Sequence, residues 1–170
     1  MIYDGNGRPF SSLDSYNVVI SRPPAFTGGT ADTRGNDAGT KDPYTLFTVT
    51  GDVLVRIWGV CTVDLAGATA TVSVGVAGNT AGLIALETAT EIDATGIYAS
   101  ATQVIGTVAL ASVAGPFVIA NGLDIAEYVA TASVTSGNIY YICLWRPVSY
   151  GKDAAGLDVA GNVVAAGTQI

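Results

Sequence analysis

Few residues in this chain of 170 have the chemistry to act as catalysts or metal ligands. There is no histidine, which removes the commonest general base, the commonest metal ligand and every histidine-containing triad. The two cysteines, Cys61 and Cys143, are far apart and each sits in an apolar, strand-like run. A structural zinc site takes four Cys or His ligands, so these thiols are read as small buried hydrophobes. A disulfide between them stays open, although nothing marks the chain as exported: MIYDGNGRPF lacks the basic-then-apolar pattern of a signal peptide. Among carboxylates, Glu87, Glu91 and Asp93 cluster in LETATEIDATG, and a glycosidase needs only two such groups. No aromatic platform or cleft is implied beside them, so a solvated loop is expected. Asp32, Asn36, Asp37 and Asp42 in DTRGNDAGTKD lack the alternating ligands of a calcium-binding EF-hand loop. A Ser–Lys pair would have to use Lys41 or Lys152, both in arm-like segments. No glycine-rich phosphate loop with its lysine is present. The chain is read as a non-enzyme with no catalytic residues, no cofactor and no metal.

Composition narrows the remaining classes. Hydrophobic residues make up 49% and charged residues 12%, about half the charge of an ordinary soluble domain. Much of the surface is therefore expected to face something other than water. The net charge is −7, and Arg8, Arg22, Arg34, Lys41, Arg56, Arg146 and Lys152 are scattered. Nucleic-acid backbones and anionic membranes both call for clustered cations, so neither is an expected partner. The uncharged stretch between Asp93 and Asp124 is long enough to span a bilayer. Its Thr, Ser, Ala and Gly content and the break at Gly115-Pro116 instead predict two short strands and a turn.

The elements that must position everything else are strands. From Tyr44 onward, runs of Val, Ile, Thr and aromatics alternate with Gly, Asn and Asp. Eight strands are predicted, near 44–50, 53–63, 69–77, 82–88, 104–112, 115–120, 124–134 and 138–146. Short helical turns are considered near 87–93 and 123–128. Eight antiparallel strands predict an all-β, two-sheet sandwich, with a jelly roll ahead of an immunoglobulin-like arrangement. Residues 1–43 hold Pro9, Pro23, Pro24 and Pro43 and a polar, Gly-rich stretch at 27–43. They read as an extended arm or loop ordered by contact, with NVVISRP (17–23) as a possible edge strand. The sandwich is placed at 44–150, and residues 151–170 read as a second arm or edge addition.

LFTVTGDVLVRIWGVCTV (46–63) sets the central question. Taken as a hairpin turning at Gly51-Asp52, it puts Leu46, Val53, Val55, Ile57, Cys61 and Val63 on one face. The other face receives Phe47, Val49, Leu54, Trp58 and Val60, with Arg56 against the Phe47 ring. Both faces are apolar, whereas a hairpin in a monomer needs only one such face. A second hairpin turning at Ser136-Gly137 puts Tyr128, Ala130, Ala132 and Val134 opposite Trp145, Cys143, Tyr141 and Ile139 as the core face, and pairs Glu127 with Arg146. Surplus apolar faces of this kind are covered by the chain's own arms or by subunits and partners. Phe47, Val49, Leu54, Arg56, Trp58 and Arg146 are the candidate interface residues.

The strings DPYTLFTVTGDVLVRIWGVCTVDL and ATVSVGVAGNTAGLIALETATEIDATGIY, closed by IYYICLWRP, resemble the capsid decoration (cement) proteins of tailed bacteriophages over roughly residues 39–146. The resemblance implies a virion structural protein on the outer capsid surface, assembled in the bacterial cytoplasm. It implies a homotrimer with extended arms that bridges major capsid protein subunits, and it carries no family site residues. The alternative is a carbohydrate- or receptor-binding β module of a head fibre or tail, with Tyr3, Tyr16, Tyr98 and Tyr150 as platforms.

Overall fold

The computed structural model describes residues 16–28, 33–37, 43–100, 104–109, 112–120, 122–148, 150–152 and 158–166, with backbone alone for 150–152 and 158–160. Thirteen strands are present among them: β1 (Asn17–Ser21), β2 (Tyr44–Thr50), β3 (Val53–Ala66), β4 (Thr71–Val76), β5 (Asn79–Thr88), β6 (Gly96–Tyr98), β7 (Val104–Ile105), β8 (Phe117–Ile119), β9 (Ile125–Ala130), β10 (Ser136–Pro147), β11 (Tyr150–Lys152), β12 (Asp158–Ala160) and β13 (Asn162–Ala165). One turn of 3-10 helix covers Ala89–Glu91, inside the predicted 87–93. The helical turn considered near 123–128 is instead occupied largely by β9. Of the strand expected at 104–112, only Val104–Ile105 is paired among the described residues.

The strands form two antiparallel sheets and a small two-stranded one. The six-stranded sheet runs β1-β10-β3-β6-β7, with β8 also on β3; the five-stranded sheet runs β13-β2-β9-β4-β5. Removing the short additions leaves β1-β10-β3-β6 facing β2-β9-β4-β5. Up to β10, the chain changes sheet between β1 and β2, β2 and β3, β3 and β4, β5 and β6, β8 and β9, and β9 and β10. This is the winding of an eight-stranded jelly roll. The segments read as arms contribute to it: β1 is one of the eight strands, and β13 adds to the β2 edge with Val163 buried.

This winding overturns both hairpin pairings. β2 pairs with β13 and β9, while β3 pairs with β10, β6 and β8. The turn at Gly51-Asp52 therefore carries the chain from one sheet to the other. Its backbone groups bond outward: Gly122 N–H donates to Gly51 O and Val148 N–H to Asp52 O, each at 3.0 Å. Likewise β9 lies in the five-stranded sheet and β10 in the six-stranded one. The linking backbone is tied to other loops by Val134 N–H to Gly35 O (2.8 Å) and Thr135 N–H to Ala66 O (2.7 Å). Among the described residues, consecutive strands pair locally at β4–β5, in the SVGVAGNTAGLI string, and in the short ladders β6–β7 and β11–β12.

A sheet-to-sheet arch changes the meaning of alternation. In a hairpin, Val49 and Val53 point to opposite faces; in the arch, each strand turns its inner face to the same core. Phe47 and Val49 from β2 are buried together with Val53, Val55, Ile57 and Cys61 from β3. Two of the five apolar residues of the surplus face are therefore core. Phe47 and Val49 are withdrawn as interface residues for this reason. On the second arch, Ile139, Tyr141 and Cys143 face inward as expected, but the inward residues of β9 are Ile125, Glu127 and Val129. The core face predicted for Tyr128 and Ala130 is reversed.

Candidate functional site: the outward face of the six-stranded sheet

What remains of the surplus lies on the outside of the six-stranded sheet. Cross-strand registers build it in rows: Val18–Leu144–Arg56, Ile20–Ile142–Trp58, Tyr140–Val60–Ile97 and Arg146–Leu54–Val118. Val18 is 61% exposed, Ile20 38% and Val118 62%, while Leu54, Trp58, Val60 and Ile142 are half-buried. Adjacent strands about 4.8 Å apart make these rows one continuous apolar surface. Leu54, Arg56, Trp58 and Arg146 from the candidate set all fall on it.

Charge is distributed unevenly. Arg22, Arg56 and Arg146 lie on this face, whereas Asp64, at its far end, accepts the Ala94 N–H at 2.6 Å. Arg22 sits over the Tyr140 ring, 4.8 Å from its centroid, and Arg146 over Tyr16 at 5.5 Å. Arg56 does not meet Phe47, which is in the core; its Nη1 donates to Val113 O at 3.0 Å. The predicted Glu127–Arg146 pair is likewise absent. An acidic chain thus presents an apolar field bordered by arginine and aromatic side chains, the residue types enriched at energetic centres of protein interfaces.

Part of this face is covered by the chain itself. Residues 106–108 and Val113 lie beside Trp58, and Arg56 holds the Val113 carbonyl. Between them lies a cavity of about 530 Å³ lined chiefly by Tyr16, Val18, Trp58, Val108, Val113 and Leu144. Side-chain hydroxyls in its lining come only from Tyr16 and Thr107. A second hollow of about 230 Å³ lies between the Arg22–Ala25 segment and Thr62, Asn138 and Tyr140.

A buried ionic network was not anticipated, and it fixes the end of the sandwich. Arg34 and Glu127 are both fully buried at the side chain and pair bidentately: Nε to Oε1 at 2.8 Å and Nη2 to Oε2 at 2.6 Å. Tyr141 donates its hydroxyl to Oε2 at 2.6 Å, so Glu127 of one sheet and Tyr141 of the other are joined directly, with Arg34 bound to the same carboxylate. The guanidinium also donates to Pro24 O at 2.8 Å and lies 3.7 Å from the Phe26 ring centroid. Burial by itself lowers the Arg34 pKa, but the Glu127 charge and hydrogen bonds outweigh it and the pKa is raised. These contacts tie residues 24–28 and 33–37 to the sandwich.

The other chemical candidates do not assemble into a site. No cluster of three or more His, Cys, Asp or Glu able to hold a metal occurs among the described residues. Asp32 and Asp42 lie outside those residues, and Asp37 accepts the Ser133 hydroxyl at 3.0 Å. Glu91 and Asp93 are solvent-exposed. Cys61 and Cys143 are free and buried. They sit on neighbouring strands but four register rows apart (Cys61 opposite Ile139, Cys143 opposite Ile57), about 13 Å along the strands, too far to bridge. Tyr98, considered as a surface platform, is buried, with its hydroxyl 2.6 Å from Val72 O and 3.1 Å from Ala85 O. Tyr3 is outside the described residues.

These buried acids predict an alkaline limit. Burial, then the nearby Glu127 charge, raises the pKa of Tyr141 and Tyr98 well above the usual phenol value. Burial raises the Cys143 thiol to about 12 and the Cys61 thiol to about 11. All four are held protonated in the fold and ionise more readily when unfolded. Their contribution is complete below the unfolded pKa values and is lost as pH rises through the folded ones. Stability is expected to fall from about pH 9 and continue falling to about pH 12. Urea midpoints measured across that range check this; a flat profile would contradict the burial of these groups.

No helix among the described residues is long and apolar enough to cross a membrane. Comparison with protein-family models, with curated proteins and with solved structures found no match.

Proposed function

We propose that this chain is a virion structural protein, a capsid decoration protein that seats the outward face of its six-stranded sheet on major capsid subunits. The observation that carries the reading is the apolar field of Ile20, Ile142, Trp58, Leu54 and Val60 bordered by Arg22, Arg56 and Arg146. Such a face fits a protein surface that is apolar at its centre and carries carboxylates at its rim. The absence of histidine and the low total charge suit a protein that works by contact, on the outside of a shell. The resemblance noted above points the same way and suggests three copies per assembly.

A carbohydrate-binding role is the weaker reading. Sugar recognition needs several convergent polar groups beside an aromatic platform, and the larger cavity offers side-chain hydroxyls from Tyr16 and Thr107 alone. Saturable co-sedimentation of the purified chain with shells stripped of their surface proteins tests the proposal. Binding to a glycan array without binding to shells would replace it with the carbohydrate reading.

A further inference from the structure

We propose that the hollow beside Tyr140 is a receptor for one carboxylate side chain, aspartate or glutamate, of the protein on which the outward face sits. Which protein supplies that side chain rests on the decoration reading; the chemistry of the hollow does not. Its volume of about 230 Å³ is below the roughly 300–1,000 Å³ of pockets that enclose whole small molecules and suits a single side chain. Two pieces of the chain form it: Arg22 to Ala25, just after β1, and Thr62, Asn138 and Tyr140 of β3 and β10. It lies at the far end of β1 from Asn17, about 17 Å along the strand. The buried Arg34 holds both walls. Its Nη1 donates to Pro24 O at 2.8 Å and to Asn138 Oδ1 at 3.4 Å, and beside it Phe26 N–H donates to Gly137 O at 2.9 Å. The hollow is therefore shaped by the fold before any ligand arrives.

What the walls offer is donors. Asn138 turns its side-chain oxygen to Arg34, which leaves its NH2 for a ligand. The acceptors Pro24 O and Asn138 O are already bonded, the first to Arg34 and the second to the Thr62 hydroxyl at 3.3 Å. Tyr140 adds a phenol O–H, and Arg22 adds a guanidinium held 4.8 Å from the Tyr140 ring centroid. The ring face that the guanidinium covers is not a platform for a sugar. Among the described residues lining the hollow there is no carboxylate, and Asp64, two positions from Thr62, accepts the Ala94 N–H. A guanidinium has five donors and serves several partners at once. Its planar fork takes a carboxylate through two parallel bonds. An ionised carboxylate accepts and never donates, so it matches this set. A neutral amide of the same shape would bring its own NH2 against these donors.

NMR titration of the full chain with N-acetylglutamate N-methylamide, and separately with N-acetylglutamine N-methylamide, tests the receptor at constant ionic strength. Saturable shifts of the Asn138 side-chain NH2 and the Arg22 Nε–H are expected with the glutamate compound. The glutamine compound should bind at least tenfold more weakly. Arg22→Gln should abolish the shift at Asn138. Asn138→Asp keeps an oxygen for Arg34 but sets negative charge in place of the NH2, and should weaken binding at least tenfold. Equal binding of the two compounds, no shift at either position, or binding that both variants leave unchanged would overturn the proposal. Co-sedimentation with stripped shells tests the source of the carboxylate. Arg22→Gln should weaken shell binding about tenfold, and undiminished binding would overturn the capsid as that source. A chain that binds the glutamate compound but no shell would uphold the receptor and overturn the decoration reading.

Discussion

Arg34→Met is expected to destabilise the chain by about 3–5 kcal/mol, the cost of leaving one member of a buried ion pair without its partner. That is a large part of the roughly 5–15 kcal/mol that holds a domain of this size folded. Methionine keeps an apolar stem against Phe26, so the loss isolates the charge. Glu127 is 1% exposed and would retain only the Tyr141 hydroxyl. Pro24 O would lose the guanidinium bond, and the two sheets would keep only the Tyr141–Glu127 bond at their shared polar centre. Adding Glu127→Gln to Arg34→Met should recover part of the loss, since a neutral amide is cheaper to bury than a carboxylate. Tyr141→Phe alone should cost about 1–3 kcal/mol by removing one donor to a charged acceptor. Urea unfolding of the three variants measures this. A cost under about 1 kcal/mol for Arg34→Met would mean that the pair behaves as a solvated surface bridge.

Trp58→Asp is expected to leave the chain folded and weaken assembly, whereas Phe47→Asp should prevent folding itself. The two aromatics were placed on one face by the hairpin reading, and the arch separates them. Phe47 is fully buried between the sheets, where an unpaired carboxylate cannot be accommodated. Trp58 lies on the outward face in the row Ile20–Ile142–Trp58. Its replacement should cost folding about 1–2 kcal/mol but weaken shell binding by about 2 kcal/mol or more, roughly 30-fold. Thermal unfolding and shell co-sedimentation of both variants separate the two effects. Unfolding of Trp58→Asp at room temperature would place Trp58 in the core instead.

Strand positions were legible because β-branched alternation marks them: 44–50 matches β2, and 138–146 lies within β10. Sheet partners were not. A glycine-containing turn such as Gly51-Asp52 serves a hairpin or an arch equally well, and alternation within one strand says nothing about which sheet the next strand joins. The surplus of apolar faces was itself the usable signal. Strands read as hairpins with two apolar faces become ordinary sandwich strands once each is assigned to the opposite sheet. The Arg34–Glu127 pair was illegible for a different reason. Arg34 sits in a segment whose composition reads as unable to bury surface, and 93 positions separate the partners. Glu127, set between Ile125 and Val129 on one strand face, was the available clue. A carboxylate in a core stripe requires a cation; the hairpin reading set Glu127 beside Arg146 on the face away from the core, and Arg146 lies on the outward face with Tyr16. The outward positions Leu54, Arg56 and Trp58 were legible because β3 alternates cleanly over Val53–Cys61.

Site-specific photo-crosslinking within the assembled particle tests the assembly face most directly. A benzophenone side chain placed at position 58, and separately at position 86, probes opposite sides of the sandwich, since Leu86 is 51% exposed on β5 of the other sheet. Crosslinks from position 58 to a major capsid subunit, with none from position 86, are the predicted result. Crosslinks from position 86 with none from position 58 would contradict it.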